Sequence, residues 1–278
     1  MFEDNVLFTN TNAPDVIELK NICQTYDSGK AYVIKDLNLL IEDKTDTGKF
    51  IVILGASGCG KSTVLRYISG LQPPTSGEVL VNGKPIGKRT KVGMVFQQYS
   101  SFPWLSVLDN VALGLEYKGV SKKDRHEKAM EMIKLTGLEG QEKKFAKYPT
   151  LSGGQLQRVA IARSLIAAPE ILLMDEPFGA LDIHTRLKMQ DLLCSIWTKI
   201  HTTVVFVTHD ISESVYLGDE IFIMRSNPGK IVEKIDINLP LVRTRELKRE
   251  RLFLDLVYKV EDSLTTVQNH MDEEKAKK

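Results

Sequence analysis

Residues 55–63, with the sequence GASGCGKST, have the types and spacing that bind phosphate. Their glycines let the backbone curl so that successive N–H groups point at phosphate oxygens, and the positive end of a following helix strengthens the attraction. In this pattern Lys61 is expected to reach the β- and γ-phosphates of a nucleotide, and the Ser62 hydroxyl is expected to bind Mg²⁺. The nucleotide-binding residues predicted here are Gly55, Ala56, Ser57, Gly58, Cys59, Gly60, Lys61, Ser62 and Thr63.

This loop has one alternative interpretation, a Gly-rich turn without chemical function. The apolar run FIVILG before it and the amphipathic pattern STVLRYISGL after it give the strand-loop-helix order of a phosphate loop, and this order favours phosphate binding. Cys59 in this loop is either a reactive thiol or a small residue that fills space, and the second interpretation is preferred.

Two carboxylates, Asp175 and Glu176, end the apolar run EILLMDEP. A buried strand that ends in this way delivers its carboxylates to the carboxyl edge of the sheet, where α/β folds bind ligands. Asp175 suits a role linked to Mg²⁺, and Glu176 can act as the general base that polarises an attacking water. By itself the pair also fits a solvated strand end, but together with the phosphate loop it predicts nucleotide hydrolysis.

A third segment, LSGGQLQRVAIARSL at 151–165, opens with a serine and two glycines and continues as a helical pattern. Ser152 is suited to cap the helix, and Gly153 and Gly154 let a phosphate approach the backbone closely. The segment is therefore a second anion-facing helix start, although one γ-phosphate does not need two such cradles.

The elements that must position these residues can be inferred from hydrophobic patterning. Continuous apolar runs at 50–55, 170–176, 203–209 and 220–225 predict strands buried on both faces, as in a mostly parallel sheet covered by helices. The alternating segments VIELKNI and VIKDLNLLI predict half-buried strands, and GEVLVNGKPI predicts a hairpin that turns at Asn82 and Gly83. Between about 105 and 150 the periodicity is helical, which predicts an inserted helical subdomain.

Composition excludes several classes of protein. With 278 residues, 42% of them hydrophobic, the chain can form one large α/β domain or two small ones. Lysine and arginine (37) nearly balance aspartate and glutamate (36), so the net charge of +1 gives no reason to expect a nucleic acid partner. The three cysteines lack metal-ligand spacing and predict a reducing compartment. No apolar run reaches the roughly 18 residues of a membrane span, and the first fifteen residues are too polar for a secretory signal.

The phosphate loop, LSGGQLQRVAIARSL and EILLMDEP follow one another as in the ATP-binding cassette (ABC) ATPases, which this chain resembles over about residues 16–235. The resemblance implies an α/β P-loop NTPase cassette, with a mostly parallel core sheet, an antiparallel β subdomain and an inserted helical subdomain at about 98–165. The boundaries expected from it are a flexible N-terminus at 1–15, an ATPase domain at 16–240, and a C-terminal helix with a charged, fraying tail at 241–278.

The resemblance also implies a mechanism with ATP and Mg²⁺ as cofactors. In this family two cassettes pair head to tail, so that the signature of one chain closes over ATP held by the phosphate loop of the other. Ser152, Gly153, Gly154 and Gln155 would then contact the nucleotide of the partner chain. The implied metal ligands are Ser62, Gln97 and Asp175, and the implied catalytic residues are Glu176, Gln97 and His209.

Four residues outside the phosphate loop and the signature match family motifs one by one. Tyr26 in QTYDSG matches the aromatic residue that stacks on adenine, and Gln97 in VFQQ matches the glutamine that contacts Mg²⁺ and water, with Gln98 as the alternative assignment. Asp182 in GALD matches the loop that links the two sites across the dimer, and His209 in VTHD matches the switch histidine that contacts the γ-phosphate. Without the family, Tyr26 is an ordinary strand-end aromatic and Gln97 a polar loop residue. The other histidines are not assigned a role.

Within the family, SSFPWLSVLDNVALGLE and FVTHDISESVYLGDEIFIMRSNPGKI are similar to the nitrate, sulfonate and taurine importers, whose cassettes lack a C-terminal regulatory barrel. The implied partners are a second cassette, identical or not, an integral membrane permease and an external solute-binding protein, with no nucleic acid. The implied location is peripheral, on the cytoplasmic face of the membrane. The surface near Gln97 and residues 102–105 would receive a permease helix; alternatively, Phe102 and Trp104 belong to the core of the helical subdomain.

Three other functions share part of this pattern. A cassette for lipid movement or export has the same catalytic residues, whereas soluble chromosome-maintenance or translation ATPases usually carry long coiled coil or two cassettes per chain. Nucleotide kinases share the phosphate loop but do not need LSGGQ.

A basic run lies near the C-terminus and comprises Arg243, Arg245, Lys248, Arg249 and Arg251. This run either contacts anionic lipid or forms a solvated helix face, and the interleaved glutamates favour the solvated face.

Overall fold

The computed structural model describes residues 15–26, 31–42, 48–87, 90–98, 100–200 and 202–276. Within these residues the strands are β1 (Asp15–Thr25), β2 (Tyr32–Glu42), β3 (Phe50–Leu54), β4 (Ser76–Val81), β5 (Lys84–Pro85), β6 (Val92–Val95), β7 (Ile171–Asp175), β8 (Thr203–Thr208), β9 (Glu220–Arg225) and β10 (Lys230–Asp236). The α-helices are α1 (Lys61–Ile68), α2 (Val107–Glu116), α3 (Lys122–Leu135), α4 (Gly153–Leu165), α5 (Ile183–Ile200), α6 (Ile211–Leu217) and α7 (Arg251–Ala276), and a 3₁₀ helix spans Glu246–Arg249.

The chain forms two compact units: a first unit within residues 1–90 and 203–278, and a second unit within residues 91–202. In the first unit β2-β1-β4-β5 form an antiparallel sheet, while β3 pairs in parallel with β8 on one side and β9 on the other. β10 adds an antiparallel edge next to β9. The second unit contains the parallel pair β6–β7 and the helices α2 to α5. The predicted fold class, with a mostly parallel core and a separate antiparallel sheet, is confirmed.

Strand β3 shows why the apolar runs become buried strands. All five of its residues are buried, and it has a parallel neighbour on each edge, so both faces and both edges are covered. The predicted hairpin is also confirmed, because Asn82 (φ 51°) and Gly83 (φ 68°) both adopt the left-handed backbone that a two-residue turn requires. The expected flexible segment lies outside the described residues except for Asp15, where β1 begins.

The helical part of the second unit has its own apolar core, built from α2, α3 and α4 and the loops between them. Ser106 and Ser121 start α2 and α3 by accepting the backbone N–H groups of Asp109 and Asp124. Fully buried Asn110 donates its side-chain amide to the carbonyls of Phe102, Leu105 and Ser106. This amide therefore holds the 102–105 loop against α2.

The C-terminal segment packs within the first unit. Helix α7 buries one stripe of side chains, and Tyr216 of α6 meets Phe253 edge-on at 6.5 Å between ring centroids. The helix continues through Ala276, so most of the charged tail that was expected to fray is helical. Within the described residues, no helix is long and apolar enough to cross a membrane.

Arg243 corrects the interpretation of the basic run as a solvated or lipid-facing surface. Its side chain is 1% exposed and forms a 2.8 Å salt bridge with Asp219. The guanidinium also donates to the carbonyl of Tyr216, again at 2.8 Å. Arg243 is thus a structural residue that attaches the C-terminal segment to the end of α6. Lys248 lies over the ring of Tyr216, with Nζ 4.0 Å from the centroid.

Candidate functional site

The phosphate loop joins β3 to α1 in the first unit, and each of its glycines meets a separate requirement. A Cβ atom at Gly55 would lie 2.4 Å from the carbonyl oxygen of Met224, so no side chain fits between the loop and β9. Gly58 (φ 80°) and Gly60 (φ 105°) have left-handed backbones, and open space surrounds the missing side chain of Gly58. The loop is therefore shaped by backbone geometry, with an exposed crest at residues 56–58.

The side chain of Lys61 folds back onto the phosphate loop. Its side chain is buried, and Nζ donates to the carbonyl oxygens of Gly55 at 2.9 Å and Ala56 at 3.0 Å. These two hydrogen bonds hold the ammonium group of Lys61 against the start of the loop. Ser62 and Thr63 are half-buried in the first turn of α1. Cys59 is buried and forms no disulfide, which supports its interpretation as a residue that fills space.

Tyr26 directly follows the last residue of β1, and 64% of its surface is exposed. Its hydroxyl accepts a 3.3 Å hydrogen bond from Nε2 of Gln72, which restrains the exposed ring from the loop after α1. Nearby, Tyr67 donates its hydroxyl proton to Oε1 of Gln24 at 2.8 Å, and burial raises the pKa of this phenol. The neighbourhood of Tyr26 thus offers an exposed, restrained aromatic face of the kind that stacking on a base requires.

His209 follows the last residue of β8 and is exposed. Its neighbour Asp210 caps α6 by accepting the backbone N–H of Glu213 at 2.9 Å. His209 therefore lies between the fully buried strand β8 and the capped start of α6.

In the second unit, β7 ends at Asp175 and the next residue, Glu176, has a φ of 41°. Such a left-handed backbone is unfavourable for a residue with a side chain and is concentrated at functional sites. A Cβ atom added at Gly179 would lie 3.9 Å from Oε2 of Glu176 and also 3.9 Å from Nε2 of Gln97. The Gln97 amide and the Glu176 carboxylate therefore both lie beside Gly179.

The start of α4 is a complete capping box. Oγ of Ser152 accepts the backbone N–H of Gln155 at 3.3 Å, and Oε1 of Gln155 accepts the backbone N–H of Ser152 at 2.9 Å. The predicted cap at Ser152 is confirmed. The side chain of Gln155 has a structural task as well, which sequence patterning did not anticipate.

Gly154 and Asp182 are linked through Thr185. A Cβ atom at Gly154 would lie 2.5 Å from Cγ2 of Thr185. Thr185 in turn donates its backbone N–H to Oδ1 of Asp182 at 3.0 Å, which places Asp182 at the start of α5. Hydrogen bonds from Thr185 lower the pKa of the Asp182 carboxyl. Thr185 was not predicted from the sequence, although the spacing Asp-x-x-Thr before a helix is a capping signal.

This packing yields a stability prediction for Gly154→Ala. The new methyl group overlaps Cγ2 of Thr185, and Thr185 cannot simply rotate because its hydroxyl is bonded to Asp182. We expect overpacking to cost about 1–3 kcal/mol, or a fall in Tm of about 5 °C. The double variant Gly154→Ala, Thr185→Ser should recover most of this loss, since serine lacks the methyl but keeps the hydroxyl. Thermal unfolding followed by circular dichroism tests this, and an unrescued double variant contradicts it.

The loop at 102–105 is only partly a core element. Phe102 is half-buried, and its ring centroid lies 5.2 Å from the guanidinium carbon of Arg163 on α4. Burial lowers the pKa of Arg163. Trp104 packs on the Phe102 ring at 5.1 Å between centroids and remains 67% exposed, which excludes it from the helical core. Asn110, which holds this loop, was missed although it is a lone polar residue at helical spacing among apolar residues.

The predicted site residues are divided between the two units. The first unit carries Tyr26, residues 55–63 and His209; the second carries Gln97, Ser152, Gly153, Gly154, Gln155, Asp175, Glu176 and Asp182. Each unit thus presents chemically distinct groups, with the phosphate loop in the first and the paired carboxylate and amide in the second.

Comparison with known proteins decides between the classes that share a phosphate loop. A family profile described as "ABC transporter" matches residues 37–179. The chain belongs to the ABC transporter family. It is 42% identical to the nitrate import ATP-binding protein NrtD of Synechocystis over 86% of this chain and 89% of NrtD. It is 45% identical to the taurine import ATP-binding protein TauB of Shigella sonnei over 76% of this chain and 81% of TauB.

A solved cassette of this family is similar in fold. The dimeric post-hydrolysis structure of the ATP-binding cassette MJ0796, bound to ADP and Pi, superposes with a TM-score of 0.68 at 36% identity. The superposition covers 81% of the present chain and all of the MJ0796 chain. The present cassette is accordingly an ABC-type ATPase that belongs with the nitrate, sulfonate and taurine import group.

Proposed function

We propose that this cassette is the ATP-hydrolysing subunit of an importer for small anionic or sulfonate-type solutes. Its likeness to NrtD and TauB over at least three quarters of its length is the observation that carries the proposal. The subunit is placed at the cytoplasmic face of the membrane, where it binds an integral permease. An external solute-binding protein completes the complex.

Nucleotide binding is assigned to the first unit. The exposed crest of the phosphate loop provides N–H groups, Lys61 provides a cation for the β- and γ-phosphates, and the Tyr26 ring stacks on the base. Ser62, Asp175 and Gln97 are the proposed ligands of Mg²⁺. Hydroxyl, carboxylate and amide oxygens are the hard donors that this ion prefers, with substrate phosphates and water in the remaining positions. Mg²⁺ bound by these residues would supply positive charge to neutralise the phosphate charge that develops during transfer.

Hydrolysis is assigned to Glu176, Gln97 and His209. The Glu176 carboxylate polarises the attacking water, and the Gln97 amide, which like that carboxylate lies beside Gly179, orients it. His209 contacts the γ-phosphate from the end of β8. The roles follow from the chemistry of the side chains: a base, a hydrogen-bonding amide and a donor to an anion.

Two copies of a cassette, identical or not, are proposed to close on two ATP molecules. Ser152, Gly153, Gly154 and Gln155 of one copy meet the nucleotide held by the other, and Asp182 links the two sites. The dimeric relative with ADP and Pi supports this arrangement. Because each ATP contacts both copies, ATP favours the closed dimer, and loss of the γ-phosphate contacts favours reopening. A permease attached to both copies then alternates its access.

The permease contact is assigned to the surface of Gln97 and the 102–105 loop. Trp104 supplies an exposed aromatic side chain there, backed by Phe102 and held in place through Asn110. Exposed aromatic side chains with rigid backing are typical anchors of protein interfaces. The same loop packs on Arg163 of α4, the helix that begins with the signature.

A trapping experiment tests the transport proposal. Tagged chain with Glu176→Gln is expressed in its host, membranes are solubilised with ATP present, and co-purifying integral membrane proteins are identified by mass spectrometry. Recovery of a small permease supports the importer, whose binding protein is then titrated with nitrate, sulfonates and taurine. Recovery of a permease for lipid movement or export, or of soluble proteins alone, contradicts it. The Lys61→Ala chain, which is expected to bind ATP more weakly, is the control.

Lys61→Ala is itself expected to weaken ATP binding about 10- to 100-fold, the worth of charge-assisted hydrogen bonds to phosphate. The matched control is Arg66→Ala, which removes an exposed cation from the same helix. Calorimetric titration with ATP measures both. Because Lys61 also bonds the carbonyls of Gly55 and Ala56, thermal unfolding without nucleotide is measured in parallel. Unchanged affinity would falsify the assignment of this loop.

A further inference from the structure

A buried carboxylate lies one helical turn beyond His209. Glu213, in the first turn of α6, is 5% exposed, and its Oε2 accepts the hydroxyl proton of Thr208 at 2.5 Å. Thr208 is the last residue of β8 and immediately precedes His209; it is 2% exposed. A carboxylate is removed from water only at a cost, and a short hydrogen bond from a hydroxyl offsets part of it.

The Thr208 hydroxyl also bonds to Asp210, the residue that follows His209. Oγ1 of Thr208 accepts the backbone N–H of Asp210 at 3.1 Å, while Oδ1 of Asp210 accepts the backbone N–H of Glu213 at 2.9 Å. The residues on both sides of His209 are therefore bonded to one another and to α6. The imidazole itself remains exposed.

We infer that Thr208 and Glu213 are positioning residues that set the direction in which β8 presents the His209 side chain. Thr208 acts as donor to Glu213 and as acceptor from Asp210 at once, so one hydroxyl ties the strand end to the helix start. The inference rests on the proposed role of His209 at the γ-phosphate. It adds that this role depends on a buried pair that does not itself touch ATP.

The variant Thr208→Val tests this arrangement, because valine matches the shape of threonine but neither donates nor accepts. We expect kcat for ATP hydrolysis to fall about 10- to 100-fold, as a misplaced catalytic group does, while KM for ATP changes little. Thr208→Ser keeps the hydroxyl and should restore most of kcat. Glu213→Gln is the second variant; it retains the shape of the side chain and weakens the charge-assisted bond.

Two further measurements separate positioning from a general structural role. In ¹H–¹³C spectra of histidine rings, with the His209 signal identified from His209→Ala, Thr208→Val should shift or broaden that signal. The signals of His126 and His270 are the internal controls and should stay in place. In a His209→Ala background, Thr208→Val should cause no further loss of kcat, because the pair acts only through the imidazole.

The outcomes distinguish this inference from the proposed function. Full ATPase activity of His209→Ala overturns the role of His209 and the inference with it. Loss of activity in His209→Ala, combined with normal kcat and an unmoved His209 signal in Thr208→Val and Glu213→Gln, overturns the inference alone. A further loss of kcat when Thr208→Val is added to His209→Ala also overturns it. Loss of kcat that serine rescues, with a shifted His209 signal, supports it.

Discussion

ATP hydrolysis by the Glu176→Gln variant is expected to fall about 10²- to 10⁴-fold, the usual contribution of a general base. Glutamine keeps the size and the hydrogen-bonding oxygen of the side chain but cannot take a proton. Since the phosphate loop and the signature are unchanged, ATP should still bind and should still promote pairing of two cassettes. Phosphate release at saturating ATP measures the rate, and light scattering with and without ATP measures the pairing.

The matched control for this variant is Glu170→Gln. Glu170 immediately precedes the first residue of β7, whereas Glu176 immediately follows the last. Glu170 forms a 3.1 Å salt bridge with Lys91, and both side chains are about half exposed, so its loss should cost little. A variant at Glu176 that turns over ATP at the normal rate contradicts the assignment. Loss of ATP-dependent pairing along with turnover contradicts the purely catalytic role.

Arg243→Ala is expected to cause the largest loss of stability, about 3–5 kcal/mol, because it leaves one partner of a buried ion pair without its counterion. Asp219, the partner, also accepts the backbone N–H of Phe50 at the start of β3. The substitution also removes the donor to the carbonyl of Tyr216. In thermal terms this corresponds to a fall in Tm of about 10 °C.

The control for this variant is Arg249→Ala, which removes an exposed cation from the neighbouring 3₁₀ helix. Urea unfolding of both variants, followed by fluorescence and circular dichroism, compares their midpoints. Equal midpoints for the two variants would show that Arg243 is a surface charge like the rest of the basic run. A large loss confined to Arg243→Ala supports its structural role.

Local features of the sequence were sufficient to predict much of this fold. The strand at 50–54 and the turn at Asn82 and Gly83 were predicted because backbone conformation and burial on both faces demand particular residue types at each position. The capping residue Ser152 was predicted for the same reason, since a helix start needs a short side chain that accepts a backbone N–H. Such requirements act within a few residues along the chain, so they are visible in the sequence.

Other features depend on residues that are distant in sequence. The basic run gave no sign that Arg243 is buried, because its partner Asp219 lies 24 residues earlier, between α6 and β9. The exposure of Trp104 follows from how Phe102 packs on α4, and the packing of Gly154 is set by Thr185 on α5. Hydrophobic patterning records which residues prefer burial and not which partners they meet.

The sequence by itself therefore determined the chemistry of this protein: the types and order of its phosphate loop, signature, paired carboxylates and histidine. Only the tertiary structure decided how those groups are held, with Gly55 packed against the carbonyl of Met224 on β9 and Gly154 packed against Thr185 on α5. The reason is physical. A motif must place given atoms on one short stretch of backbone, whereas the contacts that fix its direction come from whichever elements fold against it.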